Sequence, residues 1–257
     1  MGLAAENRRA AILEQLRLSG RIGVGKVAEQ LGVTEVTVRR DLDYLAKRQL
    51  LKKTYGGAVL AGAADMDVFV KYRQTRKMPA KRTIGELAAR LVSDGDVIYL
   101  EAGSTCGEMI PYLADFANLT VIVNSIGHMS RLHEQPQHKI IVTGGQYRAE
   151  RMDMIGPVAQ ATIRELGGFT AFTGADDISI RAGISGADVP TVNFAKLVVQ
   201  KAAKVVFVGD HTKFDRPALY KIADIDELDV IVTDVRPGQE WILTAAEKGI
   251  RLIYLNG

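Results

Sequence analysis

Residues Lys26 to Val59 read KVAEQLGVTEVTVRRDLDYLAKRQLLKKTYGGAV, and the fold of the whole chain is read outward from them. Val27, Ala28 and Leu31 mark a short apolar-periodic helix that stops at Gly32. Thr34 then caps a second helix, with Val38, Leu42 and Leu45 on one face and Arg39, Arg40 and Lys47 elsewhere. Helix, tight glycine turn, helix is the helix-turn-helix spacing, in which the second helix enters the DNA major groove. Leu50-Leu51-Lys52-Lys53-Thr54-Tyr55-Gly56-Gly57 follows as a basic β-hairpin, a wing laid against phosphates. Glu35, Val36, Thr37 and Arg40, near the start of the second helix, are expected to face base edges. Arg39, Lys52, Lys53 and Tyr55 are expected to hold phosphates or the groove margin.

Charge agrees with this reading. Up to Leu60 there are eleven lysines and arginines against six acids, a surplus of five, whereas all 257 residues together carry only +3. The basic character belongs to the N-terminal segment, as phosphate binding requires. Amphipathic helices joined by a glycine also occur in all-α folds; the wing, the Arg39-Arg40 pair and the charge asymmetry decide for DNA. Three helices are expected before Leu50, at Asn7 to Leu18, Val24 to Leu31 and Glu35 to Arg48. They would share a core of Ile12, Leu13, Leu16, Val27, Leu31, Val38, Leu42 and Leu45, with Gly20, Gly23, Gly25 and Gly32 in the turns. A winged helix-turn-helix domain is therefore placed at 1–60 and a linker at 61–80. The linker is first rich in Ala, Gly and Asp and then basic, with Pro79 as its boundary. The basic residues of Lys71 to Arg82 read as a solvated helix face, or else Lys81 or Arg82 serves a ligand phosphate.

From 81 to 257 short apolar runs alternate with helical stretches. The runs are VIYLEAG (Val97 to Gly103), LTVIVNS (Leu119 to Ser125), KIIVTGG (Lys139 to Gly145), FTAFTGADD (Phe169 to Asp177), KVVFVGD (Lys204 to Asp210), DVIVTD (Asp229 to Asp234) and RLIYL (Arg251 to Leu255). Near-continuous hydrophobic strands separated by helices predict a buried, mainly parallel sheet in a larger, Rossmann-like α/β domain. The single cysteine, Cys106, excludes an intrachain disulfide and a cysteine zinc cluster and reads as a small buried residue. His128, His133 and His138 are spaced by five, about 140° apart on a helix, so no metal site is expected. TGGQYR fits neither the G-x-G-x-x-G nor the Walker pattern, and no cofactor is expected. No apolar run reaches membrane-spanning length and no signal peptide is visible, so a cytoplasmic location is expected.

These strands end alike, in small or polar residues: Gly103-Ser104-Thr105, Asn124-Ser125, Thr143-Gly144-Gly145, Gly174-Ala175-Asp176-Asp177 and Asp210-His211-Thr212-Lys213. Ligands of open α/β sheets bind outside the carboxyl ends of the strands, so these five termini describe one site. Its chemistry suits a phosphorylated sugar or polyol. Gly103-Ser104-Thr105 offers backbone N–H groups and two hydroxyls to an anion. Lys213 and Arg148 are expected to supply charge, while Asp176, Asn124 and Ser125 bond sugar hydroxyls. Ordinary turns and helix caps use several of the same residue types, but turns alone do not require Lys and paired Asp. Pro111 falls inside the helix that should follow Thr105, which is expected to kink or begin late.

Over nearly its whole length the chain resembles the deoxyribose-operon repressor (DeoR) family of bacterial sugar regulators. RRAAILEQL, VAEQLGVTEVTVRRDL and KTYGGAV carry the likeness at the N-terminus; DVIYLEAGST, VIVNS, TGGQYR, TGAD and VVFVGDHTKF carry it further on. The resemblance implies a sensor domain similar to the ribose-5-phosphate isomerase and glucosamine-phosphate deaminase fold. It implies repression of a sugar-catabolic operon and release of DNA on binding a phosphorylated sugar. It further implies effector contacts at Gly103, Ser104, Thr105, Asn124, Ser125, Gly144, Gly145, Asp176 and Lys213. Where many members place a glutamate near the helix over Asn193 to Ala203, this chain has Pro190 and Val192, with Asp188 nearby. Where many begin the strand-end loop with Asp, it has Glu101. The stretch from Gly103 to Ser125 is similar to the glucitol-operon type, which points to a hexitol or hexose phosphate. A homo-oligomer, dimer or tetramer, is expected, because one helix-turn-helix alone reads too few bases. The competing reading is a sugar-phosphate isomerase or deaminase with an accessory DNA domain. TGADD resembles the isomerase Asp-rich loop, but no second carboxylate or histidine is placed by motif as its acid partner. A transcriptional activator would use the same residues.

Overall fold

The structure is a computed structural model that describes residues 3–19, 21–48, 50–59, 77–149, 151–215 and 218–255. The chain divides into two compact units, Met1–Arg73 and Gln74–Gly257. The N-terminal unit runs α1 (Leu3–Ser19), β1 (Arg21–Gly23), α2 (Val24–Leu31), α3 (Glu35–Lys47), β2 (Lys52–Thr54) and β3 (Gly57–Val59). Its central turn is local chemistry. Gly32 adopts the left-handed conformation (φ 62°), which lets the Val33 N–H reach the Ala28 carbonyl at 3.0 Å and close α2. Thr34 then accepts the Thr37 N–H at 3.3 Å and opens α3. Seven of the eight expected core residues are buried, and Leu31 packs at the edge of the cluster. Leu50, Leu51 and Ala58 join them, which fixes the wing to the helices.

The wing has a third strand that the sequence does not announce, in the order β1-β3-β2. At three residues β1 is too short to show an alternation, and its glycine reads as a turn. Gly57 lies opposite Gly23, where an added Cβ would come within 2.0 Å of the Ile22 carbonyl oxygen. Gly57→Ala is therefore expected to pry β1 from β3 and destabilise the N-terminal unit by about 2 kcal/mol, read as a lowered thermal midpoint. Gly20 and residues 60–76, which include most of the expected linker, lie outside the described residues.

All seven apolar runs of the second unit enter one sheet. Its strands are β4 (Val97–Leu100), β5 (Thr120–Val123), β6 (Lys139–Val142), β9 (Thr170–Thr173), β12 (Lys204–Val208), β14 (Val230–Val232) and β15 (Arg251–Ile253). They pair throughout in parallel, in the order β15-β14-β12-β9-β4-β5-β6. Alternate side chains go to opposite faces. Ile98, Leu100, Val121, Val123 and Val206 pack with Ile84, Met109 and Leu113, while Tyr99, Ile122 and Ala171 pack with Ala159, Ile163, Phe194 and Val198. Burial on both faces is why these strands read as continuous apolar runs. The first strand, β4, lies inside the sheet between β5 and β9, so the strand order reverses there. The crevice at the carboxyl ends of β4 and β9 is thus a topological switch point.

Several elements differ from expectation. Helix α4 spans Met78–Ala89, with Pro79 in its first turn, so Met78, Pro79 and Ala80 belong to the second unit rather than to a linker. Proline is favoured at a helix start, where its missing N–H costs nothing. Beyond Gly103 the helix is broken into α5 (Ser104–Gly107) and α6 (Ile110–Leu113), with Pro111 at the start of the second piece. The run from Phe169 to Asp177 splits: β9 ends at Thr173, and Asp177 begins β10 (Asp177–Ser179). This strand forms a small antiparallel sheet with β11 (Gly183–Gly186) and β13 (Tyr220–Ala223). A hairpin of β7 (Gln146–Arg148) and β8 (Asp153–Ile155) follows β6. Helices α7 (Ile126–Leu132), α8 (Pro157–Arg164), α9 (Val189–Lys201) and α10 (Gln239–Glu247) complete the unit.

Candidate functional site

On α3, Glu35, Val36, Arg39 and Arg40 are exposed, and Val36 is 56% exposed despite being apolar. Thr37 is half-buried, and its hydroxyl lies 3.0 Å from that of Thr34. Glu35 and Arg39 form an ion pair at 2.7 Å one turn apart, and Lys53 of the wing pairs with Asp43 of α3. Exposed pairs of this kind contribute at most about 1 kcal/mol, so neither cation is firmly held by its acid. Lys52 is exposed on β2, and Tyr55 stands fully exposed at the wing tip beside Gly56 (φ 80°).

Two of the eleven N-terminal cations do not belong to that surface. Asp41, 1% exposed, accepts from Arg9 Nε at 2.7 Å and from Arg8, and so ties α1 to α3. Arg9 and Arg48 also stack on the Tyr44 ring, 3.6 and 4.4 Å from its centroid. The sequence carried a signal for this: Asp41 falls between Val38 and Leu42 on the apolar side of the helix. Asp41→Ala leaves two partly buried guanidiniums without their acceptor. It is expected to destabilise the N-terminal unit by about 2 kcal/mol, measured by denaturant unfolding.

At the switch point of the sheet, Glu101 spans the crevice from the end of β4. Its carboxylate accepts the Gly174 N–H at 2.5 Å and the Thr173 hydroxyl at 3.5 Å, both at the end of β9. The longer Glu in place of Asp thus serves as a strut between strand ends. Gly103 leaves β4 in an extended conformation, and Ser104 and Thr105 form the first turn of α5. Asp176 follows β9, its carboxylate accepting the Ala187 N–H at 2.9 Å. Lys213 ends a 3₁₀ turn (His211–Lys213) after β12; it is half-buried and has no ion-pair partner among the described residues. Gly103, Ser104, Thr105, Asp176 and Lys213 thus follow the carboxyl ends of three adjacent strands.

The other expected ligand contacts form a frame around these. Asn124 is 3% exposed, and its Oδ1 accepts from the Tyr99 hydroxyl and the Ala102 N–H, each at 3.0 Å. Its amide donates to the Met154 carbonyl at 3.5 Å, so this side chain is engaged by protein and not offered to sugar hydroxyls. Ser125 is buried and caps α7 by accepting the His128 N–H at 3.3 Å. Gly144 and Gly145 turn the chain from β6 into β7 with φ 68° and 102°. At Gly145 a Cβ would lie 2.5 Å from the Ile155 carbonyl oxygen, so glycine is required there on steric grounds.

Arg148 departs furthest from expectation. It grips Asp153 with two bonds of 2.9 and 2.6 Å, and reaches Asp188 at 2.8 Å and Thr191 at 2.7 Å. Asp188 in turn caps α9 by accepting the Thr191 N–H at 3.0 Å. Burial works against the Asp188 carboxylate, yet the Thr191 hydroxyl and Arg148 hold its carboxyl at about 2. Two carboxylates neutralise Arg148, which ties the β7–β8 hairpin to α9 and brings no spare charge to an anion. Its partner Asp188 lies 40 residues away, a distance at which sequence pattern gives no pairing.

Other side chains correct or complete the picture. Lys81 is only 7% exposed, so the basic stretch before Ile84 is not a uniformly solvated face; Arg82 is exposed and sits 3.8 Å from Glu108. Cys106 is buried with its thiol on the Phe172 carbonyl at 3.5 Å, and burial together with Glu101 pushes that thiol well above its ordinary range. His128 is buried against Gly107, where burial and then Arg131 push its imidazole down to about 4. It stays neutral in the fold but takes up a proton in the unfolded chain below its ordinary 6.5. Its contribution to stability is therefore full above pH 6.5 and lost as pH falls toward about 4, about 3 kcal/mol in all. His128→Met is expected to flatten that part of the stability–pH curve.

Comparison with known proteins decides the family. Residues 8–63 match the model of the DeoR-like helix-turn-helix domain, and residues 76–235 match that of the DeoR C terminal sensor domain. The chain belongs to the DeoR family. This DeoR-family regulator is 30% identical to the transcriptional repressor AccR of Agrobacterium fabrum over 90% of each chain. It is 29% identical to the transcriptional repressor GlcR of Bacillus subtilis over 96% of this chain and 95% of that one. Among solved structures, ribose 5 phosphate isomerase A of Neisseria gonorrhoeae aligns with 52% of each chain at 18% identity and a TM-score of 0.38, too slight a likeness to bear on activity. The regulator is thus a DNA-binding transcription factor with a sensor domain, and no helix of its described residues is long and apolar enough to cross a membrane.

Proposed function

We propose that this regulator represses a sugar or polyol catabolic operon and is released from its operator by a phosphorylated sugar bound at the ends of β4, β9 and β12. The observation that supports this reading is that Gly103, Ser104, Thr105, Asp176 and Lys213 follow the carboxyl ends of three adjacent strands at the switch point of the sheet. Backbone N–H groups and hydroxyls after β4, with the Lys213 ammonium opposite in charge to a phosphate, suit its anionic end. Asp176 is the acceptor for a sugar hydroxyl. Asn124, Ser125, Gly144, Gly145 and Arg148 act as the frame.

Repression is favoured by relatives such as AccR, GlcR and a putative aga operon repressor of Escherichia coli, 26% identical over 97% of this chain. A relative in Haemophilus influenzae, 28% identical, is an L-fucose operon activator, so reporter assays with the operator on either side of a promoter fix the sign. Assembly as a dimer or tetramer would present paired recognition helices to a two-fold operator. Sensing rather than catalysis is favoured by the relatives, which are transcriptional regulators.

A thermal-shift screen tests the effector. Glucose 6-phosphate, fructose 6-phosphate, sorbitol 6-phosphate and ribose 5-phosphate are compared with their unphosphorylated forms and with inorganic phosphate. A matching sugar phosphate at a hundred times its Kd is expected to stabilise the native state by about 2.7 kcal/mol, a rise of several degrees. No shift with any phosphorylated sugar sinks the effector assignment.

A further inference from the structure

Lys77 occupies an unusual place for a lysine. It is the N-cap of α4, its carbonyl accepting the Lys81 N–H at 3.0 Å, and its backbone is left-handed (φ 54°, ψ 35°). Lysine is a poor N-cap, and its side chain makes no bond to the helix it opens. A non-glycine residue in this conformation is strained and persists only where its surroundings hold it. What holds it lies 133 and 135 residues away. The ammonium donates to Asp210 Oδ1 at 3.1 Å and to the Thr212 hydroxyl at 2.9 Å. Both side chains are largely buried, Lys77 at 18% exposed and Asp210 at 7%.

Asp210 and Thr212 belong to the same tight turn as Lys213. Asp210 Oδ1 also accepts the Thr212 N–H at 3.0 Å, so one carboxylate oxygen organises the turn and receives Lys77. Displacing this turn to bring Lys213 onto an anion therefore acts directly on the bond that fixes Lys77. Lys77, in turn, is where the chain passes from the segment that leads back to the DNA-binding unit into the first helix of the sensor unit.

We propose that Lys77 is a positioning residue coupling effector to operator: its bond to the Asp210–Thr212 turn changes with effector occupancy and passes that change into the segment leading to the DNA-binding unit. This rests on reading Lys213 as the ligand for the effector phosphate. Coupling between two binding sites is reciprocal, so loss of the bond must uncouple both affinities together.

The test uses the full chain, a duplex selected in vitro for tight binding, and whichever of the four sugar phosphates above gives the largest thermal shift. Operator affinity is measured by fluorescence anisotropy with and without that sugar phosphate for wild type, Lys77→Met and Lys77→Arg, and effector binding is followed separately by thermal shift. Wild type is expected to lose operator affinity by about ten-fold or more with effector. Lys77→Met is expected to bind both duplex and sugar phosphate but to lose less than about three-fold, and Lys77→Arg to recover the response by keeping a cation opposite Asp210. A Lys77→Met response equal to wild type overturns the proposal. So does loss of effector binding itself in Lys77→Met, or an arginine variant that folds and binds but stays uncoupled. A wild-type chain that ignores all four sugar phosphates overturns this proposal and the effector reading together, whereas the first three results leave the effector reading standing.

Discussion

Lys213→Ala is expected to hold the regulator on its operator in the presence of a sugar phosphate that releases the wild type. Lys213 is the half-buried cation of the β12 turn with no ion-pair partner among the described residues, whereas Arg148 is neutralised by Asp153 and Asp188. A charge-assisted bond from lysine to phosphate contributes about 1.5–3 kcal/mol, so its loss should weaken effector binding by about ten- to a hundred-fold. The variant loses no interaction with another described charged group and should fold normally, with operator affinity unchanged in the absence of effector. Arg148→Ala provides the contrast. It should weaken effector response only together with thermal stability, because it leaves two carboxylates facing each other's charge without their shared partner. A Lys213→Ala chain that leaves its operator at wild-type effector concentrations contradicts the assignment.

Arg40→Ala is expected to cost the largest share of operator discrimination. Arg40 is exposed near the start of α3, one turn from Val36 and on the same stripe of the helix. Its neighbour Arg39 is already paired with Glu35 at 2.7 Å. A bidentate contact from arginine to guanine discriminates by about 1–3 kcal/mol, so Arg40→Ala should weaken the cognate duplex by about ten-fold or more while barely changing binding to unrelated DNA. Lys52→Ala on the wing should instead weaken both by a similar factor and lower the salt dependence by about one ion. Competition anisotropy at two salt concentrations separates the two behaviours; equal loss on cognate and unrelated DNA would remove Arg40 from the base-reading set.

What sequence reveals here follows from how local the determining physics is. The Gly32 turn and the Thr34 cap are made by neighbours a few residues apart, and the helix-turn-helix is legible from them. The seven strands are legible because burial on both faces writes an unbroken apolar run, and a parallel sheet then gathers its carboxyl ends on one edge. The three-residue strands β1, β7, β8 and β10 carry no such run: β1 is set by pairing with β3 more than thirty residues later, and β7–β8 and β10–β11 are local hairpins too short to show an alternation. The same division applies within the site. Residue types at the strand ends are evident, but their partners are not. Asn124 is consumed by Tyr99 and Ala102, Arg148 by two carboxylates, and Asp41 by arginines more than thirty residues earlier. Lys77 falls in a stretch whose composition reads as linker, and only the fold shows its bond to the Asp210 turn.

The most direct test of metabolite-controlled release is an anisotropy titration of the operator-bound full chain with each of the four sugar phosphates and its unphosphorylated counterpart. One phosphorylated sugar is expected to weaken operator affinity by about ten-fold or more while its unphosphorylated form leaves it unchanged. Operator affinity that stays constant across the phosphorylated series, or steady conversion of a sugar phosphate into an isomer during the titration, contradicts it.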